Sequence, residues 1–333
     1  MSGRLVDLRS DTITRPTPAM RAAMAAAEVG DDVYGEDPTV NLLQDVFADL
    51  VGTEAALFVP SGTMGNQLCL RLLTEPGDEV VVGREQHLVR WEEGASEVNG
   101  RVRLTLVDDS DGTISVPTGS AAALVCVEDT HLGSGGRPWP IEDLRRVAAA
   151  GHPVHLDGAR LWHAAVADGS TPAARVAAAG ATTVTCCLSK GLGAPVGSVV
   201  GLPAALLDEA RRERRRLGGA MRQAGVLAAA GLVALEDHRD RLAIDHDRAR
   251  RLAGACAERW PGSVDPGTVR TNIVLARVDD PAAVCAGLEA EGVLGLAFGP
   301  TTLRLVTHGD VDDAGIHRAV AAIHRTPAPP ARS

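Results

Sequence analysis

Aromatic residues are scarce: three Phe, four Trp and one Tyr, 2% of 333 residues. Aliphatic side chains must therefore build the core, because hydrophobic residues of all kinds still reach 45%. An excess of cations is missing too. The formal net charge is −10, which excludes a nucleic-acid surface built from clustered basic side chains. No apolar run is long enough to span a bilayer, so no membrane partner is expected. Met1 to Thr12 contains no apolar signal core. The six cysteines (Cys69, Cys126, Cys186, Cys187, Cys256, Cys285) lack metal-ligand spacing, and most lie in apolar runs as small core residues. A cytoplasmic protein without a metal site is the expectation. Internal repeats are absent as well.

What is present reads as two domains. A short polar arm covers residues 1–15. A large unit of alternating strands and helices covers 16–235. A smaller α+β unit covers 236–325, and a Pro-rich tail, read as disordered, covers 326–333. The pattern of the large unit is that of an α/β protein, a mainly parallel sheet flanked by helices, with its site along the carboxyl ends of the strands.

The stretch Leu188-Ser189-Lys190-Gly191-Leu192-Gly193-Ala194-Pro195-Val196-Gly197-Ser198 organises the rest. Apolar runs flank it (Thr182 to Leu188 and Ser198 to Leu202), so it reads as strand, glycine-rich turn, strand. A lysine that forms a Schiff base needs such a partly desolvated place. A surface lysine in a glycine-rich hairpin fits the same letters. A dinucleotide fingerprint does not, because strand rather than helix follows the glycines.

Other strand ends carry polar residues. The run Ala55 to Val59 leads into Ser61-Gly62-Thr63-Met64 and a helix expected over residues 67–73. That junction is an anion site or a plain helix cap. His87 follows a strand over Glu79 to Val82, where it could stack on a planar ring or simply cap. A strand over Ala121 to Val127 is followed by Asp129-Thr130-His131. A strand over Pro153 to Leu156 ends in Asp157-Gly158-Ala159-Arg160. Asp157 there suits a protonated ring nitrogen or the next helix's start, and Arg160 suits an anionic oxygen. Ser10 lies in the arm Asp7-Leu8-Arg9-Ser10-Asp11-Thr12, a hydrogen-bond donor if the arm folds over the site. Tyr34, the lone tyrosine, sits in a loop. Arg304 lies on a C-terminal strand, and Arg222 in Met221-Arg222-Gln223-Ala224-Gly225.

In order and spacing, these motifs together resemble the low-specificity L-threonine aldolases over nearly the whole chain. These are pyridoxal-phosphate enzymes of the aspartate-aminotransferase fold (fold type I). The resemblance implies retro-aldol cleavage of L-threonine, L-allo-threonine and related β-hydroxy amino acids to glycine and an aldehyde. It implies that Lys190 carries the coenzyme as a Schiff base and that Asp157 pairs with the pyridine nitrogen. His87 stacks on the ring, while Ser61, Gly62 and Thr63 hold the phosphate. Arg160 binds coenzyme or substrate, and Ser10 and Arg304 the substrate carboxylate. His131 faces the substrate hydroxyl, with His131, His87 or water as the base. Arg222 reaches the phosphate of a neighbouring subunit and Tyr34 lies near that boundary, in a homodimer or homotetramer with shared sites. Asp129 and Ala220 depart from the family pattern, which often has asparagine and glycine there. Two alternatives stay open. One is another reaction on the same scaffold (a β-eliminating lyase, aminotransferase or racemase). The other is a non-catalytic coenzyme-binding regulatory or interaction protein.

Overall fold

The computed structural model describes residues 5–326. The expected tail, apart from Thr326, and Met1 to Arg4 lie outside these residues. In chain order the strands are β1 (Val6–Asp7), β2 (Ala55–Val59), β3 (Glu79–Gly83), β4 (Arg103–Val107), β5 (Leu124–Glu128), β6 (Val154–Asp157), β7 (Thr183–Cys187) and β8 (Ser198–Leu202). The C-terminal part adds β9 (Ile273–Arg277), β10 (Val293–Leu294), β11 (Leu296–Ala297) and β12 (Thr302–Val306). The helices are α1 (Pro18–Ala26), α2 (Pro38–Val51), α3 (Gly62–Leu73), α4 (His87–Arg90), α5 (Ile141–Ala149) and α6 (Leu161–Asp168). They continue as α7 (Pro172–Ala178), α8 (Leu207–Arg216), α9 (Gly225–Asp237), α10 (Leu242–Arg259), α11 (Pro281–Ala290) and α12 (Asp313–Arg325).

The large sheet has the order β2-β8-β7-β6-β5-β3-β4. Strands β4, β3, β5, β6 and β7 are parallel, and β8 runs against both neighbours. Only β8 is reversed, so β2, β3, β5, β6 and β7 all deliver their carboxyl ends to one edge. Every residue of β5 to β8 is buried, leaving no solvent face, as strands covered by helices on both sides should.

Local chemistry sets the boundaries. Asp37 starts α2 by accepting from the Thr39 and Val40 amides (3.1 and 3.0 Å), with Pro38 in the first turn, and Gly52 at φ 73° ends it. Ser61 Oγ accepts from Met64 N at 3.2 Å, so α3 begins at Gly62, five residues earlier than the apolar pattern predicts. The hairpin from β7 to β8 needs Gly197 at φ 102°; a Cβ there would meet the Phe58 ring at 2.5 Å.

Two main apolar cores result. One gathers residues from Met20 to Leu242, including Phe47, Trp139, Leu156 and Leu188. The other gathers Leu252, Val274, Leu288, Leu305 and Ile316. The arm joins this second core: Val6 and Leu8 are buried in it, and β1 pairs in parallel with β10.

Candidate active site

The shared edge of the large sheet holds a cavity lined by Ser61, Gly62, Thr63, Asn66, His87, Asp157 and Lys190, together with Thr12, Cys187, Ser189 and Pro195 to Gly197. β2, β3, β6 and β7 bring them there through the turns after their carboxyl ends, and Pro195 to Gly197 lead into β8.

Lys190 enters from the turn after β7. The turn is fixed from below: a Cβ on Gly191 would lie 2.1 Å from His163 Nε2. His163 in turn shares a 2.9 Å hydrogen bond with His246. The α3 end presents its first amides beside Gly62, whose missing side chain leaves room; a Cβ would press on Cys187 Sγ at 3.0 Å. Free first-turn N–H groups and the helix dipole make an anion cradle.

Asp157 is 5% exposed. Its Oδ1 accepts from Ala159 N at 3.0 Å and its Oδ2 from Asn66 Nδ2 at 2.8 Å. The carboxylate thus caps the following turn and also lines the cavity. His87 Nδ1 donates to Glu92 Oε1 at 3.1 Å, and its Nε2 makes no hydrogen bond among the described residues. Burial pushes the His87 imidazole down, but the Glu92 hydrogen bond and the charge of Asp157 outweigh this and raise it above its ordinary value.

The remaining expected residues lie elsewhere. Arg160 is buried against Asp11, with Nε to Oδ2 at 2.9 Å and Nη2 to Oδ1 at 2.6 Å. Burial alone would raise Asp11, but the Arg160 charge and hydrogen bonds hold it well below the usual carboxylate range. Two of the Arg160 donors are therefore engaged within the protein. Ser10 Oγ accepts from Thr12 N and Oγ1 (3.2 and 2.8 Å), leaving its own proton to donate. Arg304 Nη2 donates to Arg9 O at 3.1 Å and its guanidinium sits 4.8 Å from the Phe298 ring centroid. Its buried Nε has no partner. Burial, then the charge of Arg160, lowers Arg304 to about 10 against the pull of Asp11.

His131 is not brought into the cavity. It is 1% exposed, with Nε2 on Asp109 Oδ2 at 3.0 Å and Nδ1 accepting from Ser134 N at 3.1 Å, so both ring nitrogens are engaged. Its loop is held by a buried ion pair: Arg175 Nε donates to Asp129 Oδ2 and Arg175 Nη2 to Trp139 O, both at 2.7 Å. Asp129 is the fully buried one of two carboxylates that Arg175 meets, Asp168 being the other. Arg222 and Tyr34 lie outside the cavity, 62% exposed at the side chain and 74% exposed; Arg222 pairs with Asp31 at 3.1 Å.

Sequence reasoning missed Asn66, Glu92, His155 and Asp11. Asn66 was within reach: a helix started by Ser61 puts it one turn after Gly62, on the same face. Missed too was the plainest signal for Lys190, which is the only lysine in the chain. His87, Glu92 and Asp157 are also the one cluster among the described residues close enough to chelate a cation. Asn66 points its amide N–H groups at both carboxylates, an arrangement for anionic oxygens rather than a metal.

The donor set fits pyridoxal phosphate: a half-buried amine, an anion cradle without a side chain at Gly62, a buried carboxylate and a flat imidazole around one cavity. Comparison with known proteins agrees. The model of the beta-eliminating lyase family matches residues 7–281. Low-specificity L-threonine aldolase 1 of Arabidopsis thaliana is 39% identical, over 97% of this chain and 96% of its own length. The low specificity L-threonine aldolase of Escherichia coli K12 is 39% identical, over 92% and 95%. The solved Leishmania major threonine aldolase shares the fold with a TM-score of 0.79 at 20% identity, covering 96% of this chain and 99% of that one. With the lysine, aspartate, histidine and anion cradle assembled on this sheet, the chain belongs to the low-specificity L-threonine aldolase family of beta-eliminating lyases.

Proposed function

We propose that this enzyme cleaves L-threonine and L-allo-threonine to glycine and an aldehyde. The observation that carries the proposal is the meeting of Lys190, Asp157, His87 and the Ser61-Gly62-Thr63 cradle in one cavity. Lys190 would hold pyridoxal phosphate covalently, and Gly62 and Thr63 its phosphate, with Ser61 capping the helix that points at it. Asp157 would face the pyridine nitrogen and His87 the ring. When bound, the coenzyme supplies the carbonyl that condenses with the substrate amine and the ring that takes up the electrons of the broken Cα–Cβ bond. Arg304, with a buried unpartnered Nε, is suited to the substrate carboxylate, and Ser10 can donate to it. Arg160 holds Asp11 and so fixes the arm beside that carboxylate site. His87 Nε2, without a hydrogen bond among the described residues, takes the proton of the β-hydroxyl. Equal amounts of glycine and aldehyde from either substrate are the expected result. 2-Oxobutyrate and ammonia in their place would overturn the reading.

Proton removal needs neutral His87, so activity should fall as pH drops through its raised pKa. Glu92→Gln removes the partner that raises it. The acid limb of kcat/KM should then move to lower pH by about one unit. An unmoved limb would take His87 out of that role.

We further propose that the large unit to about residue 235 carries the coenzyme and that 236–325 brings Arg304 to it. Arg222 would complete the phosphate site of a second copy, in a homodimer or homotetramer. Its exposed guanidinium, beside exposed Tyr34 and Val226 (40%), supports this. Arg222→Ala should weaken coenzyme binding about 10-fold, the worth of one charge-assisted hydrogen bond. A fully active monomer in light scattering would contradict it. Six free cysteines support a reducing, cytoplasmic setting.

A further inference from the structure

Behind Asp157 runs a buried chain of hydrogen bonds that the chemistry above leaves unused. Asn66, 2% exposed, gives its one amide nitrogen to two carboxylates: Asp157 Oδ2 at 2.8 Å and Glu92 Oε1 at 2.9 Å. Its Oδ1 lies 3.1 Å from His155 Nε2, and His155 Nδ1 lies 2.9 Å from Thr183 Oγ1. Burial lowers His155 to about 4, so the ring is neutral and carries one proton. An amide oxygen only accepts, so that proton sits on Nε2 and the Thr183 hydroxyl donates to Nδ1. The direction of the whole chain is then fixed. A reversed Asn66 would turn its oxygen on two carboxylates.

Resting on the coenzyme reading above, we propose that Asn66 and His155 are positioning residues that keep the Asp157 carboxylate aimed at the pyridine nitrogen. Thr183 fixes the tautomer of His155. The other ionisable groups that face Asp157 are His87, Glu92, Glu128 and the thiols Cys69, Cys126 and Cys186, with Lys190 in the same cavity. Asn66 is the donor that ties the Asp157 and Glu92 carboxylates together. Without it the Asp157 carboxylate loses the hydrogen bond on Oδ2 that aims it, and its pairing with a pyridinium is weakened.

The test is coenzyme retention, read apart from turnover. Full-length protein saturated with pyridoxal phosphate is dialysed across a pH series, and bound coenzyme is followed by absorbance, with circular dichroism reporting the fold. Wild type should lose coenzyme on acidification. Asn66→Leu and His155→Phe should lose half of it about one pH unit higher, and Thr183→Val a smaller step higher. His155→Gln, whose amide can donate to Asn66, should restore the wild-type midpoint, a rescue that simple cavity damage would not show. Thr183→Val keeps the side-chain shape and lies farthest from the cavity, so it answers even if Asn66→Leu does not fold. Wild-type midpoints in folded Thr183→Val and His155→Phe would overturn the proposal. A wild type that binds no coenzyme would instead overturn the reading on which it rests.

Discussion

Lys190→Ala should lose on the order of 10³-fold or more in kcat/KM, together with the covalently held coenzyme. Lys190→Arg should fail nearly as badly. A guanidinium stays protonated and cannot form the imine, although it keeps the charge. The chain makes this experiment unusually clean. Every other basic side chain of this class is arginine, so Lys190 is the only side-chain amine available. Borohydride reduction of the holoenzyme should therefore tag one peptide, the one containing Ser189-Lys190-Gly191. Aldehyde release at the wild-type rate from the alanine variant would end the assignment.

Arg175→Met should destabilise the fold by about 3–5 kcal/mol, the usual cost of stripping one partner from a buried pair. Arg175 is fully buried and serves Asp129, Asp168 and the Trp139 carbonyl at once. Burial already raises the Asp129 carboxyl despite Arg175. Without the arginine its folded-state pKa rises further above the unfolded value. The sign follows: a raised carboxyl pKa costs stability above that pKa and not below the unfolded one. The deficit in urea midpoint should be largest near neutral pH and should shrink on acidification. Adding Asp129→Asn should recover part of it. A deficit independent of pH would mean lost packing and not an unpaired charge.

Much of this arrangement was legible in the letters. Apolar runs ending in Ser61, His87, Asp157 and Lys190 already placed those residues at strand ends, and parallel strands share one edge. What stayed hidden was pairing across distance. Arg160 reads as an anion binder because Asp11, far back in the arm, gives no local sign that it will bury itself against that guanidinium. His131 reads as facing the substrate hydroxyl for the same reason, since Asp109 and Ser134 meet it only once the loops close. Asn66 and Glu92 are ordinary polar letters until α3 and the segment after α4 face each other. The start of α3 was misread for a smaller reason: the apolar spacing begins later than the cap.

The pairing of β1 with β10 bears on the order in which the molecule can mature. Val6 and Leu8 find their partners only when Val293 and Leu294 exist. Contacts so distant in sequence close late, because the whole intervening loop must be brought together first. Until then Asp11 and Ser10 have no fixed place, so the carboxylate site should be the last part of the enzyme to form. A refolding experiment should show coenzyme bound before the substrate is recognised.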